Sequence, residues 1–365
     1  MYDQGEQGEE MNIDKRTVFA ISIVLMIFAI ILVYEWGGAW KGYKNTLEQS
    51  DAITAQLLEE ENIPVYMLII VTVIDYVKHS WLCLLLAFIA AGVLQEFVPK
   101  DKVIKLMGSG RGPVPYLIGG LGGPLLSMCS CSIIPLFGGL YKRGAGLGPS
   151  LTFLLAAPAF NPSAVLLTLA LLGWRFTVVR IIFAAGSGII VGYMTEKLLK
   201  DKIQAPETMN IETCSCEVRE GDVSYTGRII NMFRYSWEFV KLVLPLILLG
   251  VILAGLVKAF LPPAFLVKYL GVGILPIMLA SAIGVFMYAP SLVEAPLIRG
   301  LLESGMGTGP AMAHLLTGPA LSMPSILGVC KIVSPKVPVV YATLMWICGI
   351  VAGLVFWFIM PVFSV

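Results

Sequence analysis

Nine apolar segments, at about residues 18–34, 65–98, 114–141, 149–172, 176–197, 237–260, 274–302, 309–330 and 338–361, make up most of this chain. Several exceed the roughly 18 apolar residues that mark a helix long enough to cross a bilayer. A backbone in lipid must satisfy its own polar groups, and segments of this length do so as helices. Of 365 residues 57% are hydrophobic and 13% charged, with mean hydropathy +0.84. That is too little polar surface for a soluble domain of this size. The expectation is an all-α, polytopic, multi-pass membrane protein whose first partner is the lipid bilayer.

The net charge is +1, and no basic cluster interleaved with aromatics points to nucleic acid. Seven cysteines, at 83, 129, 131, 214, 216, 330 and 348, are too few and too oddly spaced for a disulfide scaffold. Met1 to Lys15 is polar and acidic, unlike the basic start of a secretory signal, so Val18–Tyr34 reads as a retained helix. Four regions follow: a tail, first helix and acidic extracellular loop (1–63), a first transmembrane repeat (64–199), a cytoplasmic linker (200–236) and a second repeat (237–365). Within 65–98, Asp75, Lys78 and His79 suggest an interfacial stretch leading into a span from about Trp81.

The two repeats are related by an offset of 161 residues. Gly139-Leu140 matches Gly300-Leu301, and Gly144, Gly146, Gly148 and Pro149 match Gly305, Gly307, Gly309 and Pro310. Leu154-Leu155 matches Leu315-Leu316, Pro158-Ala159 matches Pro319-Ala320, Ser130 matches Ser291, and Pro135-Leu136 matches Pro296-Leu297. If 114–141 and 274–302 are re-entrant hairpins and the other seven segments cross, most Lys and Arg residues collect on one face with the 197–241 linker. The other face keeps Lys41, Lys44, Lys78, Arg175, Arg180, Lys258, Lys268 and Arg299. The positive-inside rule then puts the N-terminus in the cytoplasm of a plasma or inner membrane. Three crossings per repeat make the repeats inverted, the architecture of secondary transporters, which bind substrate near the midplane. Spanning, kinked segments would instead make the repeats parallel.

The chemistry concentrates at the breaks. Gly119-Gly120-Leu121-Gly122-Gly123-Pro124 precedes Met128-Cys129-Ser130-Cys131-Ser132. Residues two apart diverge by about 200° on a helix but share a face on extended backbone, so a Cys129/Cys131 chelate needs local unwinding between Pro124 and Pro135. Thiolates select soft ions: Cu(I), Zn(II) and trivalent arsenic. Ser127, Met128, Ser132 or Cys330 are candidates for a third ligand. Opposite, the second repeat offers Tyr288, Ser291 and Glu294, with Glu294 in register with Ile133. A carboxylate at membrane depth is a candidate for proton coupling or cation binding, and a partner for Arg299 is its bland alternative. Asn161-Pro162-Ser163 corresponds to Ser322-Met323-Pro324-Ser325, so Asn161 and Ser322 are candidates to line a gap, or simply mark a kink. His314 is a candidate proton carrier or a hydrogen-bonded structural residue. Cys214-Ser215-Cys216 in the linker is a weak soft-metal motif, and Cys83 and Cys348 look like packing.

No Gly-Lys dipeptide exists, so there is no Walker A loop, and HExxH and GxSxG are missing. The reading is a permease and not an enzyme, and it calls for no cofactor. The run Cys129-Ser130-Cys131-Ser132-Ile133-Ile134-Pro135-Leu136, with Leu140-Tyr141-Lys142-Arg143-Gly144-Ala145-Gly146-Leu147-Gly148-Pro149, resembles the predicted-permease family related to the organoarsenical efflux permeases. The resemblance covers most of the chain from about Trp81. It implies efflux of soft, thiol-seeking solutes such as trivalent methylated arsenicals, hence arsenic resistance, with Cys129 and Cys131 matching the family's cysteine pair. Relatives are also linked to copper or zinc efflux. Ser132-Ile133-Ile134-Pro135 stands where the arsenical permeases carry a Gly/Thr-rich stretch, which leaves the substrate open.

Three readings remain. The first is a secondary efflux permease for a metal, metalloid or other soft small molecule, bound by Cys129, Ser130, Cys131, Asn161, Glu294 and Ser322 and coupled through Glu294 and His314. The second is a small-anion permease using half-helix N-termini. The third is a thiol–disulfide electron carrier, for which the second repeat lacks matching cysteines. A second copy of the chain and a soluble thiol protein are the further partners considered.

Overall fold

The structure, a computed structural model, describes residues 65–97, 100–108, 112–126, 130, 132–199, 225–260, 269–286 and 291–359, together with residues 26 and 33. Among these residues there is no strand. The apolar segment 18–34 lies outside them apart from Met26 and Val33, both helical and exposed.

The first repeat comprises α1 (Val65–Phe97), α2 (Lys100–Met107), α3 (Val114–Leu125), α4 (Ile133–Lys142), α5 (Leu147–Ala159), α6 (Pro162–Leu172) and α7 (Trp174–Leu199). The second comprises α8 (Tyr225–Phe260), α9 (Ile274–Phe286), α10 (Ser291–Glu303), α11 (Thr308–Ala320), α12 (Met323–Ile332) and α13 (Lys336–Ile359). A shift of 161 residues carries α5 onto α11 residue for residue, and α1, α3, α4, α6 and α7 onto α8, α9, α10, α12 and α13 to within three. The backbone obeys the same register. Gly112 (φ 77°) and Gly273 (φ 143°), and likewise Gly144 (φ 93°) and Gly305 (φ 108°), take positive φ at turns where a Cβ would strain the chain.

By length and composition, Trp174–Leu199, Ile229–Leu253 and Lys336–Ile359 are long and apolar enough to cross a membrane. The pairs α5–α6 and α11–α12 are broken units, bent by 41° and 42°. The bends have a local cause. Pro158 and Pro319 lack the N–H that would bond the carbonyl four residues back, so each first half ends one residue later. Asn161 and Ser322 then cap the second halves, with Pro162 and Pro324 in the opening turns. α1 runs unbroken from Val65 to Phe97, so the stretch before Trp81 and the span expected after it belong to one helix.

The two segments read as hairpins are each two helices. α3 lies against α5 and α7, while α4 lies against α1, α5 and α12, so the arms share α5 and do not pack along each other. At the centre α5 and α11 pack together; every residue of α5, and every residue of α11 after Thr308, is buried. Helices apolar all round belong in such a position. α7 and α13 flank them, α1 pairs with α8, and α4–α12 and α6–α10 contacts join the repeats. Close approach rests on matched glycines. A Cβ on Gly192 would stand 2.6 Å from the Gly148 carbonyl oxygen, and one on Gly353 2.8 Å from that of Gly309. The outward faces carry large apolar side chains, among them Ile182, Ile190, Trp237, Val339 and Phe358, as lipid contact requires.

Candidate functional site

The two breaks place half-helix N-termini in the interior. Asn161, 1% exposed, accepts from Ala164 N (2.7 Å) and from Ser163 Oγ (2.9 Å) through Oδ1. Ser322 accepts from Ser325 N at 3.3 Å, and its own N–H donates to Ser325 Oγ at 3.1 Å, a reciprocal capping box. Ser322 Oγ also accepts from Ser130 Oγ at 3.0 Å, across 192 residues of chain. The residue between the two cysteines of the first repeat therefore meets the cap of the broken helix in the second. Cys129, Cys131, Cys214 and Cys216 lie outside the described residues, as do Ser127, Met128 and Tyr288. Cys330, on α12, is a partly buried free thiol. Among the described residues no three His, Cys, Asp or Glu side chains cluster as a metal site.

Glu294 is fully buried in the first turn of α10. Its partner is Arg180 of α7, whose Nη2 donates to Oε2 at 3.2 Å. Arg299 pairs instead with Glu303 on the exposed side of α10, which overturns the alternative of an Arg299–Glu294 pair. Arg180 is a correction too. Grouped by sequence with the charges of one membrane face, it is 0% exposed. Its Nε donates to Ala159 O (3.0 Å) and its Nη1 to Thr168 Oγ1 (2.7 Å). One guanidinium thus joins the end of α5, the body of α6 and α10 of the other repeat. Taking two charges out of water is costly, and only close pairing with further hydrogen bonds offsets it.

Arg180 sits seven residues into α7, where hydropathy reads an interfacial charge. The overlooked signal was periodicity: Phe176, Thr177, Arg180, Ala184, Ser187, Gly188, Val191, Gly192 and Thr195 form one buried stripe. Tyr341 in the second repeat and Ile133 in the first stand where Arg180 and Glu294 would map, so the charged pair exists on one side of the pseudo-symmetry alone.

His314, 3% exposed, has Nδ1 3.4 Å from Ala280 O on α9. On the same face of α11, one turn on, is Gly318. A Cβ there would lie 2.8 Å from Glu294 Oε1 and 3.7 Å from His314 Nε2. The structure therefore brings Glu294, with its partner Arg180, and His314 together beside Gly318, and joins Ser130 to Ser322. Asn161 is occupied as a cap.

A family model described as a predicted permease matches residues 66–358. The UPF0718 protein MJ0584 of Methanocaldococcus jannaschii is 33% identical over 345 residues, covering 78% of this chain and 94% of that protein. The UPF0718 protein YraQ of Escherichia coli is 23% identical over 338 residues, covering 90% and 93%. The UPF0718 protein YcgR of Bacillus subtilis is 32% identical over 120 residues, covering 32% and 40%. No solved structure matches the chain.

Proposed function

The chain belongs to the predicted-permease family, and on that premise we propose that it is a secondary-active exporter of a soft, thiol-seeking solute, a trivalent organoarsenical or a soft metal ion. It is a multi-pass membrane transporter, and the proposal concerns its cargo and its coupling. Cys129 and Cys131 act as the capturing thiolates, which need soft acceptors. Ser130, Asn161 and Ser322 supply polar groups at the break. Glu294 exchanges the coupling proton, with His314 beside it. The repeats, inverted in an inner or plasma membrane with the N-terminus cytoplasmic, rock around the bound solute. Cys214 and Cys216 hand cargo to the membrane from the cytoplasmic linker.

The observation that carries this reading is the buried Ser130–Ser322 hydrogen bond. It ties the turn between the cysteines to a half-helix N-terminus of the other repeat, where an alternating-access carrier holds its substrate. A small-anion permease is the second reading, favoured by the capped N-termini of α6 and α12. In that case both cysteines are dispensable.

Uptake of trivalent methylarsenite into everted vesicles tests the proposal, for wild type and Cys129→Ser/Cys131→Ser, with and without a proton gradient. Accumulation by wild type that the double variant loses supports a thiol-dependent exporter. Equal, negligible uptake removes arsenic as cargo and turns the search to copper, zinc and small anions.

A further inference from the structure

We propose that Glu294 Oε1 and His314 Nε2 form one buried proton site over Gly318, and that Arg180 transmits its occupancy to the broken helix of the first repeat. This rests on the reading of Glu294 as the coupling carboxylate and adds the geometry by which a proton is held and felt.

Beside Gly318, among the described residues, lie two atoms able to accept a proton, Glu294 Oε1 and His314 Nε2. A carbonyl oxygen can only accept, so the contact of His314 with Ala280 O assigns the imidazole proton to Nδ1 and leaves the lone pair on Nε2. Among the described residues Glu294 Oε1 is buried with no hydrogen-bond partner, while Arg180 engages Oε2. Oε1 and Nε2 both approach the point a Gly318 side chain would fill, at 2.8 Å and 3.7 Å. Buried polar atoms are almost always partnered, so an enclosed, unpartnered carboxylate oxygen with an imidazole nitrogen beside the same glycine points to a place for a proton. The groups facing Glu294 are few. Against α10 pack α6, which carries no titratable residue, and α11, whose one such residue is His314; Arg180 reaches in from α7. Arg299 and Glu303 pair with each other on the exposed side.

When a proton enters, an O–H bond forms at Oε1, the carboxylate becomes neutral, and the new hydroxyl donates toward Nε2. No electrons move. Arg180 keeps its bonds to Ala159 O and Thr168 Oγ1 but loses the anion that ties it to α10. The tie between the junction of α5 and α6 and the second repeat is then weakened from an ion pair to a neutral hydrogen bond, while the packing of α5 on α11 and of α6 on α10 stays. Deprotonation restores the tie. Gly318 keeps the site open, because a Cβ there would crowd Oε1 at 2.8 Å.

The test uses no substrate, so failure to transport methylarsenite would leave it untouched. Infrared difference spectra of the purified full-length protein in liposomes are recorded from mildly acid to mildly alkaline pH. Wild type is expected to show a carboxylic-acid carbonyl band that titrates reversibly and is lost in Glu294→Gln. His314→Gln and Gly318→Ala should each displace its midpoint by about one pH unit or more. Arg180→Lys, which keeps the charge but not the planar fork, should displace it less than Arg180→Gln. A band that persists in Glu294→Gln overturns the site. So does a midpoint unmoved by both His314→Gln and Gly318→Ala, and these two variants decide the matter if Glu294→Gln fails to fold.

Discussion

Arg180 Nη2 and Glu294 Oε2 meet at 3.2 Å with neither side chain more than 1% exposed, joining residues 114 apart in the two repeats. Breaking such a pair leaves an uncompensated buried charge, whereas replacing both members removes the need for compensation. Arg180→Ala alone should destabilise the protein by about 3–5 kcal/mol. Arg180→Met combined with Glu294→Leu should recover most of that loss. Unfolding of purified variants in detergent measures both; a single variant as stable as wild type refutes the structural role.

Neutralising Glu294 should separate transport from its driving force. Glu294→Gln keeps the shape of the side chain but exchanges no proton. Vesicles carrying it should still exchange labelled for unlabelled solute, yet accumulate none when a proton gradient is imposed. Gradient-driven accumulation at the wild-type level would move the coupling role elsewhere.

Ser322 caps α12 and also accepts from Ser130, so its loss is felt twice. Ser322→Ala should cost about 1–2 kcal/mol, the range for losing an N-cap. Ser130→Ala should cost less. In the double variant the two losses should fall short of additivity by about 1 kcal/mol, the net value of one buried hydrogen bond. Strict additivity in denaturation would mean that the two hydroxyls do not interact.

The glycine contacts should behave as a matched set. A Cβ at Gly192 or at Gly353 collides with a carbonyl of the facing helix, at 2.6 Å and 2.8 Å. Gly192→Leu and Gly353→Leu should each lower stability by about 1–3 kcal/mol or more, with similar magnitudes in the two repeats. Gly122→Ala, in open space, should be tolerated. Thermal melts of the three variants check this; a tolerated Gly353→Leu would contradict the packing.

Much of the architecture was legible in the amino-acid order, because its determinants are local. Membrane character follows from hydropathy summed over short windows. The repeat follows from Gly144 and Gly305, which sit where a turn requires positive φ, and from Pro158 and Pro319, which end a helix by lacking an N–H. The breaks at Asn161 and Ser322 were visible for the same reason, since a cap acts within three residues of itself. The burial of Arg180 was decided elsewhere. Nothing within one turn distinguishes an arginine at the membrane edge from one folded inward; the difference lies in Ala159, Thr168 and Glu294, which only packed helices bring to it. The meeting of Ser130 with Ser322, and of His314 with Glu294 over Gly318, is of the same kind. Local rules set each helix and its ends, while the partner of a buried polar atom is set by which helices cross, and that depends on the whole chain at once.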